Sequence, residues 1–158
     1  MRRGFTLIEL LIVIAILGIL SAIGIGNFMT ARIKAVDTER KSDLQTIGKS
    51  LEAFVNDHRL YPLSDGSGKI KCKSDGSICD WGTPFTDTTG TIYTAKLPAD
   101  PSGYTYVYSS ADGTSYTIYA HLDNTQDPAL ISPPLNPTVQ CGSATILCNY
   151  KITSSNIQ

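Results

Sequence analysis

The order of apolar and polar residues changes abruptly near residue 31. Residues 5–31 contain no Lys or Arg and a single carboxylate, that of Glu9. A helix of about 20 predominantly apolar residues crosses the hydrocarbon core of a bilayer, and this run is longer than that. The pattern therefore predicts a membrane-spanning helix over residues 5–31.

Residues 32–58 continue the helical pattern in a much more polar sequence. Apolar side chains recur at spacings of three, four and seven to eight residues, which marks one face of an α-helix, while Lys and Glu fill the other face. The apolar positions are Ile33, Val36, Leu44, Ile47, Leu51, Phe54 and Val55. We therefore predict one helix from about Thr6 to Asp57, with its amphipathic part, residues 32–58, packed on a globular head.

The chain from residue 59 to residue 158 is predicted to form that head. Pro62 and the Ser/Asp/Gly-rich stretch after it interrupt the helical pattern. Residues 63–98 show little periodicity, which predicts a long irregular connection.

Strand patterns appear only towards the end of the chain. Two alternating runs, 104–109 and 115–122, flank Asp112-Gly113 and predict a β-hairpin. A third run at 144–152 adds a strand, and most of the eight tyrosines are expected to pack within the sheet. The resulting fold class is α+β, with a long N-terminal helix on a small antiparallel sheet.

The charge and the motif content of the chain exclude several function classes. There are 13 Lys+Arg against 14 Asp+Glu, a formal net charge of −1, so electrostatic attraction to phosphate is weak and a nucleic-acid partner is not expected. His58 and His121 are the only histidines, and the sequence has no nucleophile elbow, zinc-protease motif or phosphate-binding loop. We therefore expect no enzymatic activity, and any ATPase that acts with this chain is another protein.

Four cysteines form two pairs of identical spacing, Cys72 with Cys79 and Cys141 with Cys148. An even number of cysteines outside the cytoplasm indicates disulfides, and local pairing within each pair is the simplest arrangement. The two crossed pairings stay open, because spacing does not fix connectivity. A metal site of four thiolates is the rival, although the spacing is wider than zinc knuckles prefer.

Glu9 is the feature that a plain membrane anchor leaves unexplained. An ionisable residue inside a membrane segment is costly and indicates a functional site, unless it snorkels to the headgroups. A cleaved secretory signal is the other alternative, but the apolar run is too long for one. Arg2 and Arg3 precede the run and predict that the N-terminus stays cytoplasmic and the head lies outside.

The sequence G-F-T-L-I-E-L at residues 4–10, after a short basic leader, resembles the N-terminus of type IV pilins and type II secretion pseudopilins. In that family a membrane peptidase cuts after the glycine and methylates the new N-terminus. The resemblance implies a leader at residues 1–4, cleavage between Gly4 and Phe5, and N-methylation of Phe5. The apolar helix is then retained as an assembly stem.

The same resemblance gives Glu9 a partner. It assigns assembly to Phe5, Thr6 and Glu9, with the Glu9 carboxylate of one subunit meeting the α-ammonium group of Phe5 on a neighbour. Each charge alone would carry a large desolvation penalty in an apolar fibre core, and pairing offsets much of that penalty.

The resemblance also implies the partners and the location of the protein. Expected partners are other copies of the chain in a helical filament, the prepilin peptidase, and the pilus assembly platform with its ATPases. The subunit is expected in the inner, or cytoplasmic, membrane before assembly and in an extracellular pilus afterwards. Two alternatives to a pilus subunit are a major pseudopilin of a type II secretion system and a minor tip pilin that acts as an adhesin or in DNA uptake.

Two further segments bear on the family resemblance. The sequence L-P-A-D-P at residues 97–101 is similar to a segment of G-type pseudopilins, although Ser102 stands where they usually have tryptophan. Gly18, Gly24 and Gly26 interrupt the apolar helix, and we expect a continuous helix in the isolated subunit that unwinds between Gly18 and Gly26 in a fibre.

A turn near a predicted strand end holds candidate calcium ligands. Some pseudopilins bind calcium in a comparable loop, and here Asp123, Asn124 and Asp127 offer hard oxygen ligands. The alternative is a solvated turn whose side chains bond to their own backbone. Apart from this candidate calcium site, no cofactor is expected.

Overall fold

The structure is a computed structural model that describes residues 4–72, 75–131, 138–143 and 145–154, with the backbone alone at residues 22–27. Helix α1 spans Leu7–His58. The contacts divide the chain into two units, Met1–Ala35 and Val36–Gln158. The first part of α1 belongs to the first unit and the remainder belongs to the second.

The first unit exposes its apolar side chains. Large aliphatic residues between Leu7 and Leu20 are 46–79% exposed. Within the described residues, no helical segment reaches the length and hydropathy that a bilayer span requires. The helix backbone runs on through the predicted unwinding segment, where Gly24 and Gly26 lie outside the residues whose side chains are described.

The second unit buries one face of α1, as the apolar periodicity predicted. Leu44, Ile47 and Leu51 are fully buried and Phe54 is nearly so. These residues share one hydrophobic core with aromatic and aliphatic side chains of the strands and loops. Burial of this apolar surface is the main source of stability for the head.

Within the residues that the structure describes, seven short strands form three antiparallel sheets. The strands are β1 Ile70–Lys71, β2 Ile78–Cys79, β3 Phe85–Thr86, β4 Ile92–Thr94, β5 Val107–Ser109, β6 Thr117–Ala120 and β7 Tyr150–Thr153. β1 pairs with β2, β3 pairs with β4, and the third sheet has the order β5-β6-β7. The predicted α+β fold of a long helix with a small antiparallel sheet is confirmed.

The three-stranded sheet contains the hairpin that the Asp112-Gly113 pair predicted. Val107 pairs with Tyr119 and Ser109 pairs with Thr117, while β7 extends the sheet by pairing Thr153 with Thr117. Gly113 has a positive φ of 77°, and a Cβ there would lie 2.8 Å from the Tyr61 carbonyl oxygen. Glycine is therefore required both by the turn and by the chain that crosses it.

Gly48 lets the helix approach the same sheet closely. It lies in the middle of α1 and is buried. A Cβ at this position would lie 3.0 Å from the Tyr116 hydroxyl oxygen and 3.4 Å from Ile152 Cδ1. The loss of helix propensity at a mid-helix glycine is thus accompanied by tight packing against Tyr116, which immediately precedes β6, and against Ile152 of β7.

The prediction of an irregular connection over residues 63–98 was wrong in part. This region contains the two hairpins β1-β2 and β3-β4. Their strands are two or three residues long, too short to produce an alternating pattern in the sequence. The Cys72–Cys79 disulfide joins the two sides of the β1-β2 hairpin.

Both disulfides join neighbouring cysteines. Cys72 is bonded to Cys79, and Cys141 is bonded to Cys148. All four cysteines are buried. In the structure the four cysteines therefore form neither of the crossed pairings and no metal site.

Ile47→Ala tests whether the helix face sustains the core. The substitution removes three buried carbon atoms, and we expect the free energy of unfolding of the head to fall by about 2–5 kcal/mol. Chemical denaturation followed by near-UV circular dichroism measures the change. The matched control is Ile92→Ala, since Ile92 is 64% exposed. Equal losses in the two variants would contradict the assigned core.

Candidate assembly site and the Arg40 cluster

Helix α1 begins with a reciprocal cap made by Thr6 and Glu9. Glu9 Oε2 accepts the Thr6 backbone N–H at 2.8 Å and the Thr6 hydroxyl at 2.6 Å. The Glu9 backbone N–H in turn donates to Thr6 Oγ1, 3.4 Å away. This is a capping box, which satisfies backbone N–H groups that the first helical turn leaves unpaired. The Glu9 carboxylate, which is the single carboxylate of the apolar run, is therefore hydrogen-bonded to Thr6 of its own chain.

The Gly4–Phe5 bond lies outside the helix, immediately before this cap. Gly4 and Phe5 are exposed, and the Phe5 side chain is 85% exposed. A Cβ on Gly4 would meet no described heavy atom within 4 Å. A peptidase can therefore reach this bond. Cleavage here keeps the Thr6 backbone amide, so the Thr6–Glu9 hydrogen bonds survive it.

The structure thus places all four sequence-predicted residues of the N-terminal motif, Gly4, Phe5, Thr6 and Glu9, at one helix start. The capping role of Thr6 and Glu9 was not predicted. Its signal was available, because T-L-I-E has the Ser/Thr-x-x-Glu/Gln spacing of a capping box before an apolar run.

A second group of polar residues, which we call the Arg40 cluster, lies inside the head. It consists of Asp37, Arg40, Asp100 and Asp123. Arg40 Nε donates to Asp100 Oδ2 at 2.9 Å, and Arg40 Nη1 contacts Asp37 Oδ1 at 2.7 Å and Asp123 Oδ2 at 2.8 Å. The side chains of Arg40, Asp37 and Asp100 are almost completely buried. One guanidinium thus joins helix α1 to two distant segments of the head.

Each member of the cluster has further partners. Asp37 accepts the backbone N–H groups of Asp123 and Asn124 at 3.0 Å and 2.7 Å. The Tyr104 hydroxyl donates to Asp123 Oδ1 at 3.0 Å, and the Tyr104 ring lies 4.9 Å from Arg40 Cζ. Arg40 Nη2 is buried and has no hydrogen-bond partner among the described residues.

These contacts shift the pKa values of Arg40 and Asp123. Burial acts to lower the pKa of Arg40, but its bonds to Asp123, Asp100 and Asp37 outweigh burial and raise that pKa. Burial likewise acts to raise the pKa of Asp123, and the Arg40 and Tyr104 hydrogen bonds bring it below its usual value. Arg40 and Asp123 are therefore both charged at neutral pH.

The segment after Asp123 is held to the helix by a second ion pair. Lys41 Nζ donates to both carboxylate oxygens of Asp127, at 2.7 Å and 2.6 Å. The Ala129 backbone N–H also donates to Asp127 Oδ1 at 2.9 Å. The bond from Lys41 is the main reason that the pKa of Asp127 is lowered.

The candidate calcium ligands do not fit a calcium ion in this arrangement. Both oxygens of Asp123 accept bonds from Arg40 and Tyr104, both oxygens of Asp127 accept bonds from Lys41, and Asn124 Oδ1 accepts the Gln126 backbone N–H at 3.2 Å. Among the described residues, no three His, Cys, Asp or Glu side chains form a group able to hold a metal ion. The oxygens that calcium would need are already bound to protein donors.

Several tyrosines pack their rings in the core and donate a hydrogen bond from their hydroxyl to a carboxylate of helix α1. The Tyr61 hydroxyl donates to Glu52 at 2.9 Å and 3.0 Å, and the Tyr106 hydroxyl donates to Asp43 at 2.7 Å. Burial, with the bond to Glu52, raises the pKa of Tyr61 to about 12. These bonds give the tyrosine hydroxyls partners beside the apolar core, and buried tyrosines usually have such a hydrogen-bond partner.

Thr6→Ala tests the capping box. The substitution removes the side-chain acceptor of the Glu9 N–H and a donor to its carboxylate, so amide exchange in the first turn should become about tenfold faster. Hydrogen–deuterium exchange of the full chain in detergent measures this. Thr6→Ser keeps the hydroxyl and should exchange like the wild type. Equal exchange in all three proteins would contradict the cap.

Comparisons with known proteins identify the family. Residues 1–25 match the model of the prokaryotic N-terminal methylation motif. The chain is 33% identical over 110 residues to type II secretion system core protein G of Pseudomonas aeruginosa, covering 68% of this chain and 72% of the relative. The corresponding protein of Vibrio cholerae is 31% identical over 110 residues, covering 69% and 71%.

A type IV pilin is also similar to this chain. The major pilin PilA of Myxococcus xanthus is 42% identical over 69 residues, which cover 44% of this chain and 30% of that pilin. No solved structure matches the chain significantly. The cleavage motif, the long helix with its α+β head and these relatives agree, and the chain therefore belongs to the family of type IV pilins and type II secretion pseudopilins, which are structural subunits and not enzymes.

Proposed function

We propose that this chain is a structural subunit of a type IV pilus. The prepilin peptidase cuts between Gly4 and Phe5 and methylates Phe5, and the mature subunit polymerises through its N-terminal helix. The observation that carries the proposal is the first unit, which combines an exposed cleavage bond, a capped helix start and a row of exposed aliphatic side chains.

The exposed aliphatic side chains supply the driving force for assembly. A surface of large apolar side chains stays in contact with lipid or with other copies of the same helix. Before assembly the helix is held in the inner membrane, with Arg2 and Arg3 on the cytoplasmic side and the head outside. Packing of these helices against each other buries the same surface in the filament core.

Glu9 sets the register of that packing. In the single subunit its carboxylate accepts two bonds from Thr6. Cleavage creates an α-ammonium group on Phe5, and the Glu9 carboxylate of one subunit pairs with this group on its neighbour. A pair of opposite charges in an apolar interior specifies geometry more than it adds stability, because each charge alone would be strongly unfavourable.

A type II secretion pseudopilus is the second candidate. It is favoured because the matches to core protein G extend over about two thirds of this chain, far beyond the N-terminal motif. The match to PilA is higher in identity but shorter. Both functions use the same cleavage, the same stem and an assembly platform with an ATPase, and they differ in the machine that builds the filament.

Glu9→Gln separates the charge of Glu9 from its capping role. Glutamine three residues after the N-cap keeps a capping box but cannot neutralise the Phe5 amine. We expect Glu9→Gln and Glu9→Ala both to be cleaved and to yield few or no filaments, as measured by mass spectrometry and by the amount of sheared filaments. A normal filament yield from Glu9→Gln would contradict the charge pair.

Deletion strains distinguish the pilus from the pseudopilus. If the chain is a pilus subunit, sheared surface filaments should contain it as a main component, and deletion of the pilus assembly ATPase should abolish them. Deletion of the type II secretion ATPase should leave them unchanged. The reverse dependence would assign the chain to the pseudopilus.

A further inference from the structure

Two ion pairs hold the loop that follows β6 against helix α1. Asp123 and Asp127 lie in this loop, and their carboxylates contact Arg40 and Lys41 at 2.8 Å and 2.6 Å. In chain order these partners are more than 80 residues apart. The contacts are therefore tertiary ones that hold a loop in place.

Arg40 is positioned as the centre of a carboxylate site. Two of its nitrogen atoms lie 2.7–2.9 Å from one oxygen each of Asp37, Asp100 and Asp123. These carboxylates come from the helix, from the L-P-A-D-P segment and from the loop after β6. Asp37 and Asp100 are almost completely buried and the Asp123 side chain is 31% exposed, so bringing the three carboxylates together is costly without a cation among them.

The guanidinium and a divalent metal are alternative occupants of such a position. Calcium takes six to eight oxygen ligands and is bound largely by carboxylates and backbone carbonyls. Here the oxygens that would face the metal accept hydrogen bonds from Arg40, and the long Arg side chain fills the space from the helix side. Lys41 similarly occupies both oxygens of Asp127.

We propose that Arg40 is the resident cation of a three-carboxylate site formed by Asp37, Asp100 and Asp123. The folded head therefore needs no bound divalent metal, and the site becomes a divalent-cation site when Arg40 is removed. This inference does not depend on which filament the chain builds. Its consequence is that the head keeps its fold in surroundings that are poor in calcium or contain chelators.

The first test compares the wild-type full chain in detergent with EGTA and with millimolar calcium chloride. The midpoint of thermal unfolding, followed by the near-UV circular dichroism of the tyrosines, should agree within about one degree between the two conditions. A rise of several degrees in calcium would overturn the proposal, because it would show a divalent cation bound to the native wild-type protein.

The second test uses Arg40→Ala in the same two conditions. In EGTA the melting midpoint should fall by roughly 10 °C, because three carboxylates, of which Asp37 and Asp100 are almost completely buried, lose their counter-charge. Millimolar calcium should raise the midpoint of this variant by several degrees, since three carboxylates are left around the vacated position. An Arg40→Ala protein that is as stable as the wild type, or that calcium does not stabilise, would overturn the proposal.

One further variant, Arg40→Lys, keeps the test decisive should Arg40→Ala fail to fold in EGTA. Arg40→Lys retains a cation but not the planar fork that reaches all three carboxylates, so it should be moderately destabilised and insensitive to calcium. A clear stabilisation of Arg40→Lys by calcium would contradict the resident-cation role.

Lys69→Gln is the matched control for the loss of a basic side chain. Lys69 pairs with Asp80 at 2.8 Å on the surface of the same unit. The variant should show a melting midpoint close to that of the wild type in both conditions. A calcium response of Lys69→Gln equal to that of Arg40→Ala would show a general charge effect and would overturn the proposal.

Discussion

The burial of one face of helix α1 is the interaction on which the head depends. Leu44, Ile47, Leu51 and Phe54 supply the apolar part of that face, and Gly48 allows the sheet to come within contact distance. The same face is continued by Asp37 and Arg40, which are buried but polar. The polar part contacts distal segments of the head through ion pairs. Hydrophobic burial fixes the core, and the buried charges fix which segments meet the helix.

Much of this arrangement could be predicted from the sequence. The spacing of three and four in the helix and the Asp112-Gly113 turn are local signals, and both led to the right elements. The Arg40 cluster could not be predicted, because charged residues on a helix normally lie in solvent and its partners are 60 and 83 residues away. The same separation along the chain is the reason that the sequence suggested Asp123 and Asp127 as calcium ligands. Their acidic pattern is visible in the loop, whereas the cations that satisfy it lie on the helix.

The two units differ in whether their side chains are packed and paired internally or left exposed. The head pairs many of its polar side chains internally, through tyrosine–carboxylate bonds and the Arg40 cluster, and two disulfides cross-link its chain. The first unit leaves its aliphatic side chains exposed, and the hydrogen bonds between Thr6 and Glu9 cap its helix start. A surface of that kind is stable only in lipid or against like surfaces, which agrees with a family of filament subunits. The capping box also explains how the subunit tolerates a carboxylate in an apolar run until the Phe5 amine is formed.

The central claim is that cleavage removes the short leader, retains the apolar helix and creates the charged partner of Glu9. The mass of the intact subunit from purified filaments tests it most directly. The account predicts a chain that begins at Phe5, carries one added methyl group and lacks the four hydrogens lost in two disulfides. A subunit that retains Met1, or one that has lost the helix from Leu7 onwards, would contradict it.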